Sequence, residues 1–121
     1  MKKIQDRIIQ KLQFLNFNFT GAVGETQTDT IKIDNDYDKI VGIALKSELY
    51  GEACTIEEFS FNTRNEMFPK GIMAQNIQSF DGGYFPVEIL DMENKTVSLT
   101  LKNYLAASPR KVQVTLILEK K

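Results

Sequence analysis

The chain of 121 residues has no histidine, no tryptophan and a single cysteine. Without imidazole, the serine, cysteine and threonine triads that rely on it are excluded, as are histidine-ligated zinc, copper and iron sites. Cys54 alone builds neither a disulfide framework nor a thiolate metal site, and in a strand-like run it reads as a small buried hydrophobe. Neither a GxGxxG nor a GxxxxGK(S/T) phosphate-binding pattern occurs. No cofactor is expected.

An excess of one charge is also missing. Fifteen basic and sixteen acidic residues leave a net charge of -1, without the basic surplus that nucleic-acid binding demands, so no nucleic-acid partner is expected. No apolar run approaches the roughly 20 residues needed to span a bilayer, and Met1-Lys2-Lys3-Ile4-Gln5-Asp6-Arg7 breaks any signal-peptide core with charge. The expectation is a protein made in the cytoplasm and used there, or carried from it in an assembly.

What the chain does contain is alternation. Val112, Val114, Leu116 and Leu118 are interleaved with Gln113, Thr115 and Glu119, the period of two of a strand with one buried face. Val97, Leu99 and Leu101 repeat the pattern, and Tyr84 to Leu90 reads as a further strand; these last three strands suggest an antiparallel meander. Ile40 to Leu45 is nearly all apolar, as for a central strand, with Gly42 marking a bulge or a close backbone approach. Cys54 and Ile56 share one parity and Phe59 and Phe61 the other, which predicts a bulge at Glu57-Glu58. Turn signals stand at Asp34 to Asp38, Phe68-Pro69-Lys70-Gly71, Asp81-Gly82-Gly83 and Asp91 to Asn94. The fold class predicted is all-β: an antiparallel β-sandwich of about eight strands, preceded by a short N-terminal helix or arm.

Ile4, Ile8, Leu12 and Leu15 fall at spacings of four, four and three, the stripe of a short amphipathic helix. Phe17 and Phe19 then alternate with Asn16 and Asn18, and Gly21 to Asp29 is small, polar and aperiodic. Residues 1–27 are therefore expected to be an arm and linker, and residues 28–121 the sandwich. An apolar arm needs a partner surface, either its own sandwich or a neighbouring subunit. Ile4, Ile8, Leu12, Leu15, Phe17 and Phe19 become the candidate interface residues.

Two clusters invite a chemical reading. Glu57 and Glu58 would flank a glycosidic bond only if the bulge redirected one of them, and solvated strand charges are the simpler reading. Asp34, Asp36 and Asp38 match the opening of a calcium-binding loop, but Lys39 replaces its glycine and Leu45 its bidentate glutamate. A turn held by local hydrogen bonds is the default, with a cation site as the alternative.

The segments Tyr37-x-x-Ile40-Val41-Gly42-Ile43-Ala44-Leu45, Phe68-Pro69-x-Gly71 and Val112-x-Val114-x-Leu116-x-Leu118-Glu119 together resemble small jelly-roll proteins of bacteriophage particles. The resemblance lies in strand lengths and turns over about 85 residues, from Ile40 onward. It implies a jelly-roll-like sandwich and a non-enzymatic virion structural role: a vertex (penton), minor capsid or decoration subunit. The partners it implies are other copies of the chain, as a homo-oligomer, and other capsid proteins. The alternative is a carbohydrate- or receptor-binding sandwich that would use Tyr37, Tyr50, Tyr84 and Tyr104 in place of tryptophan.

Overall fold

A strand whose every second side chain is apolar needs neighbours on both edges and a second layer over its apolar face. In the computed structural model, which describes residues 2–3, 10–47, 54–61, 64–65, 71–77, 83–92, 95–104 and 108–120, the last strand obtains all three. This strand, β10 (Arg110–Glu119), lies between β2 (Gln10–Phe19) and β4 (Lys39–Ser47). Beyond β4 come β8 (Gly83–Ile89) and the two-residue β1 (Lys2–Lys3). The second sheet runs β3 (Thr26–Lys32), β9 (Thr96–Lys102), β5 (Thr55–Phe61), β6 (Arg64–Asn65), and β7 (Ile72–Met73) also pairs with β5.

All the pairings are antiparallel. One apolar core joins the sheets, with Leu15, Phe17, Ile43, Val114 and Leu116 from the first and Ile56, Phe59, Val97, Leu99 and Leu101 from the second. The fold is therefore all-β and sandwich-like. A single 3-10 turn, Ala74–Ile77, is the only helical element among the described residues.

The three C-terminal strands do not form the expected meander. β8 and β10 belong to the first sheet and β9 to the second, so each connection crosses from one layer to the other. Alternation fixes which face a strand buries but leaves its neighbour open.

The N-terminal expectations also change. Leu12 and Leu15 lie in β2, all ten residues of which pair with β10, so no helix runs through them. The 27/28 boundary falls inside β3. Ile4 and Ile8, and the turn centred on Pro69, lie outside the described residues.

Both predicted irregularities are present. Pairing of β5 with β9 skips Glu57 between Ile56 and Glu58, which lets Ile56 and Phe59 both face the core. Beside Gly42, between it and Ile40, the register of β4 shifts against β8 and β10. The Tyr84 ring also lies over Gly42 and fills the place where a Cβ would stand. Gly42→Ala is therefore expected to destabilise the fold by about 1–3 kcal/mol in urea titrations, as overpacked sites do. In a Tyr84→Ala background the same substitution should cost much less.

Candidate interaction surface

The pleat divides β2 into two unlike faces. Leu15, Phe17 and Phe19 point inward and are 0%, 1% and 3% exposed, so these three candidate interface residues are core rather than a surface for another subunit. Leu12 and Phe14 point outward at 39% and 41% exposure. Beside them, on the same outer face, Ile117 is fully buried and packs with Ala44, Tyr84 and Val41 in a second small apolar cluster. The outer face of the first sheet is thus apolar at this end. Toward the other end of the same face it becomes polar, with Asn16, Gln113 and Lys46 in register and Gln113 donating to Asn16 Oδ1 at 2.8 Å.

The second sheet presents a different outer face. Thr28 and Thr100 share a hydroxyl hydrogen bond of 2.8 Å, and Thr30 and Ser98 one of 3.0 Å, a ladder of uncharged side chains that satisfy one another. Phe85 is 40% exposed. It lies on β8, where, among the described residues, the first sheet is extended by the two residues of β1.

At the end where β2 turns into β3, Glu25 organises the loop. Its carboxylate accepts from Thr20 N (2.9 and 3.0 Å), Thr20 Oγ1 (3.0 Å), Gly21 N (3.1 Å) and Gln27 Nε2 (3.1 Å). These donors, the Thr20 amide first, hold its pKa down to about 2 from an ordinary 4.5. A depressed carboxylate contributes stability that is complete above its unfolded pKa and is lost as the pH falls through the folded one. The stability difference between the wild type and Glu25→Gln should therefore be constant above about pH 5 and shrink toward pH 2. Denaturant midpoints across that range measure it.

Next to this loop, Asn103 donates from Nδ2 to Ala22 O at 2.8 Å and exchanges backbone bonds with Gly24 and Glu25. Its Oδ1 accepts from Arg110 Nη2 at 3.1 Å, and the buried Arg110 guanidinium lies 4.9 Å over the Phe19 ring. Cys54 is buried near this cation, and burial pushes its thiol up to about 11, which makes it a poor nucleophile.

At the opposite end, the Asp34 turn is closed by its own bonds. Tyr37 N donates to Asp34 O at 3.0 Å, Asp36 N donates to Asp34 Oδ1 at 3.0 Å, and Asp34 Oδ2 accepts from Lys11. The hydrogen bond to Lys11 lowers the Asp34 pKa, and the same bond raises that of Lys11. Both Asp34 oxygens are thus engaged, and the described residues contain no group of three side chains suited to hold a metal ion. Glu57 accepts from Thr55 Oγ1 at 2.8 Å and Glu58 is an exposed strand charge, so the two are not brought together as an acid/base pair.

The tyrosines are dispersed as well. Tyr84 is buried over Gly42, Tyr37 packs against the main core with Lys11 5.9 Å from its ring, and Tyr104 follows β9; Tyr50 lies outside the described residues. No helix among the described residues is long and apolar enough to cross a membrane. Sequence reasoning missed Phe14 and Asn103, because outer-face exposure and loop clamping depend on neighbours far along the chain. Comparisons with protein-family models, curated proteins and solved structures find no match to this chain.

Proposed function

We propose that the chain is a non-enzymatic structural subunit of jelly-roll type, working in a virion as a vertex (penton), minor capsid or decoration protein. The observation that carries this reading is the strand order. Taken along the chain, β2, β4, β8 and β10 fall in one sheet and β3, β5, β6 and β9 in the other, with β10 between β2 and β4 and β9 between β3 and β5. Such interleaving supports a jelly-roll reading, an arrangement that viral capsid proteins share with lectins and cupins. The step from fold to virion rests on that analogy.

The working part in this reading is the exterior. Leu12 and Phe14 on the outer face of the first sheet, together with the loops at the two ends, supply lateral contacts to other copies of the chain and to other capsid proteins. Closed cyclic symmetry suits such a subunit. The N-terminal arm that the sequence suggested is no longer needed from residue 10 onward, because that stretch is core strand. Sedimentation velocity of the full chain over a wide concentration range tests the proposal. An oligomer of fixed copy number is expected; a monomer at every concentration, with no co-assembly on capsid proteins, would overturn it.

A further inference from the structure

We infer that the outer edge of β2 is a latent pairing edge for a second copy of this chain, held closed by the Asp29 carboxylate. This inference goes beyond the assembly role and stands without it. β2 is ten residues long and forms one edge of its sheet. A long unpaired edge is a template for strand addition, and proteins block such edges with charged or inward-pointing polar side chains. At the far side of this sheet the two-residue β1 covers the start of β8, and β8 carries Pro86 and so lacks one ladder donor. β2 contains no proline.

On β2, the amides of one parity point away from β10. Asn16 N donates to Asp29 Oδ2 at 2.8 Å, and Thr30 N fixes the same carboxylate through Oδ1 at 2.9 Å. Thr20 N, of the same parity, is taken by Glu25. Asp29 stands opposite Leu99, which is fully buried, so its position in the pleat belongs to the inward face. An aspartate there forgoes apolar burial, and what it gains is the β2 amide.

Gln13 laces the same seam. Its Nε2 donates to Lys32 O at 3.1 Å and its Oε1 accepts from Asp34 N at 3.1 Å, so one side-chain amide stands where a strand peptide would. The seam joins two strands that belong to different sheets and share no ladder. With Asp29 removed, two copies would meet β2 to β2 in antiparallel fashion about a two-fold axis, covering the exposed Phe14 beside the edge.

The test compares Asp29→Ala, Asp29→Asn and the double variant Asp29→Ala/Asn16→Pro by sedimentation velocity against the wild type's own mass. Asp29→Ala is expected to double that mass with rising concentration. Asp29→Asn keeps an acceptor oxygen and should match the wild type. The double variant should return to the wild-type mass, because proline removes the exposed donor. Asp29→Ala holding the wild-type mass at all concentrations, or the double variant associating as strongly as Asp29→Ala, would overturn the inference. Should Asp29→Ala fail to fold, amide exchange in the wild type decides: Asn16 is expected to exchange more slowly than Phe14 and Asn18, and equal rates would overturn the capping role. Failure of the assembly proposal shows separately, in the mass of the wild type alone.

Discussion

A chain shortened to begin at Thr28 is expected to lose cooperative folding rather than merely an accessory arm. The deletion removes all of β2, and with it Leu15, Phe17 and Phe19, each essentially inaccessible in the core. Full burial of such a side chain contributes about 1.5–3 kcal/mol. Three of them rival the total stability of a typical domain, about 5–15 kcal/mol. The loss also strips β10 of one entire hydrogen-bonded edge and exposes the inward faces of Val112, Val114 and Leu116. Circular dichroism and a thermal melt of the shortened chain measure the outcome. A sharp transition close to that of the full chain would mean that residues before Thr28 are dispensable.

Phe17→Ala should destabilise the fold by about 3–5 kcal/mol, as buried aromatic truncations do. Phe14→Ala, three residues earlier on the other face, should stay within about 1 kcal/mol. Phe17 pairs with Val112 in register and faces the second sheet; Phe14 pairs with Thr115 and is 41% exposed. Denaturant unfolding of the two variants gives the comparison. Equal losses would place both rings in the same environment and would contradict the facing of β2.

These two results bear on what could be read from the residues. β4, β9 and β10 were legible because a buried strand must alternate or be apolar throughout, and each does so. The bulges at Glu57 and beside Gly42 were legible for a related reason: a parity change and a glycine each mark a place where the pleat breaks. β2 was not. Its outer face is apolar at one end, so Leu12 and Leu15 are both hydrophobic although they face opposite ways, and the period of two dissolves into an apparent helical stripe. β3 escaped for the opposite reason, since Gln27 and Asp29 occupy inward positions and leave Ile31 as its one hydrophobic residue. An edge strand that spends its inward positions on hydrogen bonds reads as a linker.

Pairing lay beyond local pattern altogether. Nothing in Val112 to Leu118 tells whether β9 or β2 is its neighbour, because the choice depends on which connections cross between layers. The candidate surface follows the same division. Excluding imidazole and thiolate chemistry needed only composition, whereas the contrast between an apolar and a hydroxyl-lined outer face depended on bringing Ile117, Ala44 and Tyr84 together, and Thr28 with Thr100.

The claim on which the rest depends is that the C-terminal strand sits in the middle of a sheet between the chain's first long strand and β4. Interstrand nuclear Overhauser effects measured from Val114 test it directly. Contacts to both Leu15 and Leu45 are predicted, since each is its partner in register. Contacts from the Val114 backbone to the backbone of residues 96–102 in their place, as a local meander would produce, would contradict it.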